Sequence, residues 1–300
     1  MLAGPITRSS FVEGVWNAGA DSIMLDLEDG VPLAEKESGR KVAREAVELA
    51  GRGGGDVLLR INGPWEIGAA DLDAGVWPGL AGVIVPGVEE VEELGRIDAR
   101  IGELEAKREI PAGTTQICVT IESVAGLFAA GDLASASTRN VSLTLGTEDF
   151  TRDIDAEPTP EAMEVLLPQL QIVLFARRAG ISPLTGLLGG LAGASDLELA
   201  RRSAQWARSV GFRGAACLSP AQVEIANEEF APKAEAVARA ERLIEAYDAA
   251  VAIGEGFIEF EGGIVDTPVA VRARRLIERA ESIRAFDQSK ASARAAAAAA

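Results

Sequence analysis

The sequence predicts an α/β fold, a closed (β/α)₈ (TIM) barrel followed by a C-terminal helical and hairpin extension. Three observations support this prediction. The chain has 300 residues, a length that suits one such barrel. Short apolar runs rich in Val, Ile and Leu recur at intervals of roughly 20 to 35 residues, and stretches with helical periodicity lie between them. An open, doubly wound sheet is the alternative arrangement of the same elements.

The predicted strands are short and mostly do not alternate between apolar and polar residues, which is typical of parallel strands buried on both faces. Because a strand is followed by a helix repeatedly along the chain, a closed barrel is favoured over an open sheet. The helices with the clearest periodicity are Lys36–Leu49, Pro160–Ala179 and Asp196–Val210. In chain order, the eight predicted strands are Leu2–Ile6, Ser22–Leu27, Val57–Ile61, Gly82–Val85, Gln116–Ile121, Val141–Leu145, Ile181–Leu184 and Ala215–Leu218.

The chain continues well beyond the eighth strand. We therefore divide it into a (β/α)₈ barrel over residues 1–230, a C-terminal arm or lid over 231–286 and an Ala-rich tail over 287–300. We expect the tail to be frayed or extended. The elements predicted after the eighth strand are the helices Ala221–Asn227, Ala234–Ile253 and Val269–Phe286 and a Gly-rich hairpin around Gly254–Gly263.

Composition excludes several classes of function. The formal net charge is −17, so the basic surface that a nucleic-acid-binding protein needs is not expected. No basic-then-apolar leader opens the chain and no apolar run reaches about 18 residues, so we expect a cytoplasmic protein that does not bind membranes. Cys118 and Cys217 lie in predicted strands and are expected to be buried free thiols in a reducing compartment.

The sequence contains no histidine. This excludes Ser-His-Asp and Cys-His catalysis, histidine-ligated zinc and a histidine general base. Acid–base chemistry must therefore use carboxylates, Lys, Tyr, Cys or a metal-bound water.

Acidic residues are concentrated where the predicted strands end, which is where active sites lie in barrels of this kind. Carboxylates that face one another repel, and a hard divalent cation such as Mg²⁺ or Mn²⁺ offsets that repulsion. Glu122 and Asp149 suit the one or two carboxylates that Mg²⁺ usually takes. The charged residues at the strand ends are Asp26, Glu28, Asp29, Arg60, Glu122, Glu148 and Asp149.

Each of these residues also has a purely structural interpretation. Glu122 and Asp149 each precede or begin a predicted helix, where acidic residues act as caps. Arg60 is expected, in that case, only to neutralise nearby carboxylates as an ion pair. The convergence of all of them at one end of the barrel favours the functional interpretation.

Short motifs that include these residues follow one another over about residues 5 to 275. None of them is specific alone, but their order is. They are Gly19-Ala20-Asp21, Leu25–Asp29, Arg60-Ile61-Asn62, Val85-Pro86, Ile121-Glu122-Ser123, Gly146–Asp149, Gly211–Gly214, Ser219–Val223, Phe230-Ala231-Pro232 and Ile264–Pro268. The ordered set resembles the citrate lyase β-subunit-like branch of the HpcH/HpaI aldolase superfamily.

The resemblance implies a (β/α)₈ barrel, commonly assembled as homotrimers or hexamers. It implies Mg²⁺ held by Glu122 and Asp149, and Arg60 binding a carboxylate or carbonyl oxygen of the substrate. Members of this family make or break carbon–carbon bonds in citryl, malyl or citramalyl thioesters or in related 2-keto acids. In several of them an aspartate of the C-terminal arm reaches the active site of a neighbouring subunit, and the matching residue here is Asp266.

Two positions depart from the family pattern. Gly87 stands where a lysine is frequent, and Ser219 stands where a histidine is usual, so this chain lacks the histidine base of the aldolase branch. Both losses weaken the expectation of coenzyme A binding. The basic residues that remain for its phosphates are Arg8, Lys36, Arg40 and Arg44.

These features together predict a Mg²⁺-dependent carbon–carbon lyase that acts on an acyl-CoA or keto-acid substrate through an enolate. The proton-transfer candidates are Asp29 in the same subunit and Asp266 from a neighbour, with Glu28 orienting metal-bound waters or Arg60. The alternatives are a class II aldolase acting on free 2-keto-4-hydroxy acids and a non-catalytic assembly subunit. The predicted substrate-binding residues are Arg60, Asn62, Arg8 and Lys36.

Overall fold

The structure, a computed structural model, describes residues 1–159, 162–191 and 193–299. The chain divides into two compact units. One comprises Met1–Phe230 together with the chain from Ala293 onward, and the other comprises Ala231–Ser292. No helix in the described ranges is long and apolar enough to cross a membrane.

The first unit contains eight parallel strands in sequential order, which confirms the predicted (β/α)₈ barrel. The strands are β1 (Leu2–Pro5), β2 (Ser22–Asp26), β3 (Asp56–Arg60), β4 (Leu80–Val85), β5 (Gln116–Ile121), β6 (Asn140–Leu145), β7 (Ser182–Leu187) and β8 (Ala215–Ala216). The barrel closes between β8 and β1, where the Ala3 N–H donates to the Cys217 carbonyl at 2.9 Å and the Cys217 N–H donates to the Met1 carbonyl at 2.8 Å. This closure rules out the open, doubly wound sheet.

The strands are buried on both faces, which explains why their sequences do not alternate. Leu25, Leu59 and Val119 are fully buried in the layer between the strands and the outer helices. The barrel interior holds a smaller cluster that includes Met24 and Cys118. Both cysteines are buried and free, as the sequence predicts.

Helices follow the strands around the barrel. They are α1 (Ser9–Gly14), α2 (Lys36–Ala50), α3 (Trp65–Gly75), α4 (Val91–Lys107), α5 (Val124–Leu133), α6 (Thr147–Asp153), α7 (Leu166–Ala179), α8 (Leu197–Val210) and α9 (Pro220–Phe230). The predicted helix Pro160–Ala179 is helical as α7 only from Leu166, after a 3₁₀ turn at Met163–Val165. Its first two predicted residues lie outside the described residues. Helix α8 begins where the Asp196 side chain accepts the Leu199 N–H at 2.9 Å.

The second unit contains the long helix α10 (Ala234–Ala252), an antiparallel hairpin of β9 (Ile258–Phe260) and β10 (Gly263–Val265), and most of helix α11 (Thr267–Ala299). Its small core includes Leu243 and Tyr247. The expectation of a frayed or extended tail after residue 286 is wrong, because α11 continues to Ala299. Alanine has the highest intrinsic helix propensity, so an alanine-rich end prolongs the helix.

Candidate active site

Arg60 ends β3 and is clamped by Asp26, its register partner at the end of β2. Arg60 Nε and Nη2 lie 2.8 Å from the two carboxylate oxygens of Asp26, a bidentate pair. Asp26 also accepts the backbone N–H groups of Glu28 at 2.8 Å and Gly30 at 2.9 Å. Burial alone lowers the pKa of Arg60, but its hydrogen bonds with Asp26 and the surrounding negative charge raise that pKa above its ordinary value. Arg60 is therefore a fixed, permanent positive charge.

Glu28 and Asp29 extend from the loop after β2 towards the same guanidinium. Glu28 Oε2 lies 2.8 Å from Arg60 Nη1, and Asp29 Oδ2 lies 3.7 Å from it. The Oε2 atom of Glu28 is buried but accepts no hydrogen bond within the described ranges. Burial raises the pKa of Glu28 to about 7 in spite of the opposing charge of Arg60. Asp29 differs from Glu28 because 69% of its side chain is exposed.

Glu122 directly follows β5, in a space created by two glycines. A Cβ at Gly146 would lie 2.6 Å from Glu122 Cγ, and a Cβ at Gly87 would lie 3.2 Å from Glu122 Oε2. Gly87 also has φ of +59°, which favours glycine. Burial, together with the charges of Glu28 and Asp149, raises the pKa of Glu122 to about 8. Gly87 therefore leaves space for the Glu122 carboxylate.

Asp149 lies in the first turn of α6, after the end of β6. Its Oδ1 is 2.7 Å from Nη1 of Arg152, an arginine that is 79% exposed. Its charge contributes to the raised pKa values of both Glu28 and Glu122. Among the described residues, no group of three or more acidic or cysteine side chains is arranged to hold a metal ion. A cation here would be bound by one or two carboxylates, with water and substrate completing its shell.

The interpretation of Glu122 and Asp149 as helix caps is wrong. Ser123 caps α5, because its Oγ accepts the Gly126 N–H at 3.0 Å. Gly146 is the N-cap residue of α6, and no side chain caps that helix. Neither carboxylate is used to cap a helix end.

Asn62 and Lys36, predicted to bind substrate, instead brace the loop after β2. The Asn62 amide nitrogen donates to the Leu27 carbonyl at 3.0 Å and to Asp71 Oδ2 at 2.6 Å. Lys36 Nζ donates to the Leu27 carbonyl at 2.7 Å and to the Glu28 carbonyl at 2.6 Å. Both side chains are buried. Their role in this structure is to position the loop that carries Glu28.

Sequence reasoning missed Asp71, the centre of this brace. Asp71 is fully buried, and it accepts the backbone N–H of Asn62 at 2.8 Å and the Nε of Arg40 at 2.8 Å. An aspartate within the otherwise apolar helical run Ala69–Leu72 is the signal that could have revealed it.

Gln222 is a second residue that the sequence did not reveal. Its buried amide accepts the Leu218 N–H at 2.7 Å and donates to the carbonyls of Leu188 and Ala194, both at 3.1 Å. It thus fastens the loop between β7 and α8. Ser219, which stands where the family usually has histidine, accepts the Gln222 N–H at 3.3 Å at the start of α9.

Glu148 and Arg8 form no hydrogen bond or ion pair with Arg60 among the described residues, and Asp266 belongs to the second unit. Glu148 lies in α6 and accepts the Leu191 N–H at 3.0 Å, so its side chain holds the loop between β7 and α8. Arg8 is exposed after β1 and forms no ion pair in the part of the chain that the structure describes. Asp266 is exposed in the second unit, where its Oδ1 accepts the Val269 N–H at 3.3 Å at the start of α11. Its action on a neighbouring subunit stays a prediction.

The sequence matches known proteins over most of its length. The family model described as HpcH/HpaI aldolase/citrate lyase matches residues 1–220. Citrate lyase subunit beta of Leuconostoc mesenteroides subsp. cremoris is 33% identical over 283 residues, which cover 94% of this chain and 93% of that protein. The (3S)-malyl-CoA thioesterase of Cereibacter sphaeroides (strain KD131) is 28% identical over 283 residues, 94% of each chain.

The fold is also similar to solved structures. CitE from Mycobacterium tuberculosis, solved in complex with magnesium, acetoacetate and coenzyme A, superposes with a TM-score of 0.71 at 24% identity. The match covers 93% of this chain and 97% of that one. The chain therefore belongs to the HpcH/HpaI aldolase/citrate lyase family, in its citrate lyase β-subunit-like branch, and is an enzyme of the lyase class.

Proposed function

We propose that this protein is a Mg²⁺-dependent carbon–carbon lyase that cleaves or forms a 3-hydroxyacyl thioester, such as malyl-, citramalyl- or citryl-CoA, through an enolate. One observation carries this proposal: beside the fixed cation Arg60, the charge of Asp149 acts on both Glu28 and Glu122, and the charge of Glu28 also acts on Glu122. Two of these carboxylates have strongly raised pKa values, and one buried oxygen of Glu28 accepts no hydrogen bond among the described residues. Such a site has too little positive charge to balance its carboxylates.

A divalent cation fits this environment. The available ligands are carboxylate oxygens, which Mg²⁺ prefers, and Gly87 and Gly146 leave space around Glu122. Glu122 and Asp149 would hold the ion. A bound Mg²⁺ would supply Lewis-acid stabilisation of the negative charge on an enolate oxygen. The M. tuberculosis relative was solved with magnesium, which supports the same choice of ion.

Arg60 supplies directed positive charge without any rearrangement, because two of its guanidinium nitrogens are hydrogen-bonded to Asp26. In the cleavage direction a base removes the proton from the 3-hydroxyl group. The bond between C2 and C3 then breaks, C3 becomes the carbonyl carbon of one product, and the electron pair forms the enolate of the other. The enolate is finally protonated on carbon.

The base is a carboxylate, since the chain has no histidine. Asp29 is exposed at the open side of the guanidinium, 3.7 Å from it, where a substrate hydroxyl could approach. Asp266 from a neighbouring copy in a homotrimer or hexamer is the other candidate. The buried free thiols Cys118 and Cys217 suit a cytoplasmic enzyme.

One observation favours a second candidate, a class II aldolase acting on free 2-keto-4-hydroxy acids. The basic side chains expected for coenzyme A phosphates are largely engaged elsewhere. Lys36 bonds to loop carbonyls, Arg40 bonds to Asp71, and the Arg44 guanidinium lies 4.6 Å from the ring centre of Trp77. The similarity to a malyl-CoA thioesterase supports the thioester instead.

A substrate screen tests both candidates. The purified protein is assayed with malyl-, citramalyl- and citryl-CoA and with free 2-keto-4-hydroxy acids, in Mg²⁺ and in EDTA. We expect cleavage of a thioester that EDTA abolishes. Cleavage of free acids alone supports the aldolase, and activity that survives EDTA contradicts both.

The matched variants are Glu122→Gln and Glu148→Gln, which neutralise carboxylates at the end of the same barrel. Glu122→Gln should lower kcat/KM by about 10³-fold, the order of effect seen when one group that stabilises the transition state is lost. Glu148→Gln should stay near wild type, because its amide oxygen can still accept the Leu191 N–H. Equal losses in the two variants would contradict a specific role for Glu122.

A further inference from the structure

Two neighbouring outer helices of the barrel differ from the others because their outward sides are apolar. On α5, Phe128 is 85% exposed. On α7, Leu167 is 68% exposed and Leu174 is 67% exposed. By contrast, α2 presents charged residues such as Lys41 and Glu45 to the outside. A helix that is apolar all round is normally covered on both sides.

The two apolar stripes form one surface. Helices α5 and α7 pack side by side with their carboxyl ends together, since a Cβ at Gly131 of α5 would lie 3.2 Å from the Phe175 ring of α7. We name this surface the α5–α7 face. Its exposed or half-buried residues are Val124, Phe128, Leu167, Leu170 and Leu174. Contiguous exposed apolar patches of this kind mark interaction sites.

The charges at the two ends of the α5–α7 face are opposite. At the amino end, Asp153 Oδ2 accepts the Val124 N–H at 2.8 Å, and Glu164 lies just before α7. At the carboxyl end, α7 finishes with the exposed Arg177 and Arg178. Neither arginine forms an ion pair within the described ranges. Asp132, one turn after Phe128 on α5, is also exposed at the carboxyl end, where two arginines stand against this one aspartate. The face is therefore apolar in the middle, acidic at one end and net basic at the other.

We propose that the α5–α7 face is the contact with the same face of a second copy of this chain, related by a two-fold axis. A two-fold contact places each patch against itself in reverse direction, so the basic end of one copy meets the acidic end of the other. The apolar stripes then cover one another. The face is therefore complementary in charge to a reversed copy of itself. For this reason we infer that its partner is a second copy of this chain. The inference does not depend on the proposed function.

Sedimentation of the full chain tests the proposal. Leu167→Glu/Leu174→Glu places two charges in the middle of the contact and should halve the mass of the assembly. The control Lys41→Glu makes the same change of −2 in net charge on the polar side of α2 and should keep the wild-type mass. A monomeric wild type, or a double variant with the wild-type mass, would overturn the proposal.

Cross-linking provides a test that leaves the surface nearly intact. Leu174→Cys places an exposed thiol near the middle of α7, and the two native thiols are buried. A short bismaleimide should join two copies of this variant into a covalent dimer, because we place the two-fold axis at the middle of the face, close to position 174 of both copies. The control Glu45→Cys on α2 should remain uncoupled. Coupling that is no greater for position 174 than for position 45 would overturn the two-fold contact.

Discussion

The ends of β2 and β3 and the ends of β5 and β6 belong to one barrel mouth, yet their charged groups are satisfied to very different degrees. Asp26 accepts two hydrogen bonds from Arg60 and two from backbone N–H groups. Glu122 forms no hydrogen bond or ion pair within the described ranges, and its pKa is raised to about 8. The Asp26–Arg60 pair is complete without a ligand, whereas Glu122 has no positively charged partner within the described ranges.

This difference separates two tasks of an active site. The β2–β3 side holds a positive charge in place before substrate arrives, which lowers the cost of reorganisation during the reaction. The β5–β6 side keeps carboxylates poorly compensated, so a cation gains more by binding there than at an ordinary acidic surface. Four substitutions test this difference between the two sides, and their expected effects decrease in the order given.

Asp71→Asn should have the largest effect, on stability. The substitution removes the charge that Arg40 pairs with and weakens a fully buried acceptor of Asn62 hydrogen bonds. Breaking a buried ion pair costs about 3 kcal/mol. Urea unfolding should show that loss. Asp73→Asn, on the same helix, removes a half-exposed partner of Arg100 and should cost under about 1 kcal/mol. Equal losses would show that the Asp71 brace is not special.

Gly146→Ala should loosen the β5–β6 side without removing any charge. The new Cβ would lie 2.6 Å from Glu122 Cγ, so the carboxylate must move. Disturbing the support of a metal ligand typically weakens metal binding by about 10–100-fold. Calorimetric titration with Mg²⁺ measures this change. Gly95→Ala in α4, where a Cβ meets open space, should bind Mg²⁺ like wild type. Unchanged affinity in Gly146→Ala would argue against Glu122 as a ligand.

Mg²⁺ binding should release about one proton at pH 7. The pKa of metal-free Glu122 is about 8, so this carboxyl is mostly protonated at pH 7 and must ionise to bind a cation. Affinity should therefore rise as the pH increases to 8. Titrations in two buffers with different ionisation enthalpies count the protons. The release should be largely lost in Glu122→Gln, and its persistence there would assign the proton to another group.

The same raised pKa has a consequence for the stability of the metal-free protein. The folded state keeps a proton on Glu122 up to about pH 8, whereas the unfolded chain loses it near pH 4.5. Folded protein thus binds more protons in this window, and Glu122 makes stability fall as the pH rises from about 4.5 to 8. Thermal unfolding of wild type and Glu122→Gln should show that this part of the pH dependence disappears in the variant.

Arg152→Gln should produce the smallest change, in the opposite direction. Arg152 pairs with Asp149 at 2.7 Å but is 79% exposed, so the pair contributes at most about 1 kcal/mol. Removing this competitor should tighten Mg²⁺ binding about two- to threefold by calorimetry. Lys41→Gln removes a charge from α2 and should leave the affinity unchanged. Weaker binding in Arg152→Gln would mean that the arginine positions Asp149.

The barrel could be predicted from the sequence because its strands are continuous apolar runs. Such runs are typical of parallel strands that are buried on both faces. The eighth strand was harder, since only Ala215–Ala216 form it regularly. The charged residues at the strand ends could be named because barrel geometry brings those ends together.

The side-chain partners could not be predicted in the same way. Lys36 and Asn62 are long polar residues near the mouth, and nothing in the sequence shows that they bond to the Leu27 carbonyl. The low complexity of the tail after residue 286 predicts an extended segment, whereas the helix propensity of its alanines continues α11 to Ala299. The hydrogen-bond partners of Lys36 and Asn62, and the helical state of the tail, both depend on packing that the sequence does not display.

The clamp between Asp26 and Arg60 also has a consequence for the order in which we expect ligands to bind. It offsets the charge of Arg60, one against one, so Asp29 and the partly ionised Glu28 keep the entrance negative even while Glu122 is protonated and Asp149 is paired with Arg152. The whole chain carries a net charge of −17 as well. An anionic substrate is therefore repelled until a cation has entered, so we expect compulsory-order kinetics in which the metal binds first. Substrate alone should give no heat in a titration, and the same substrate after Mg²⁺ should bind.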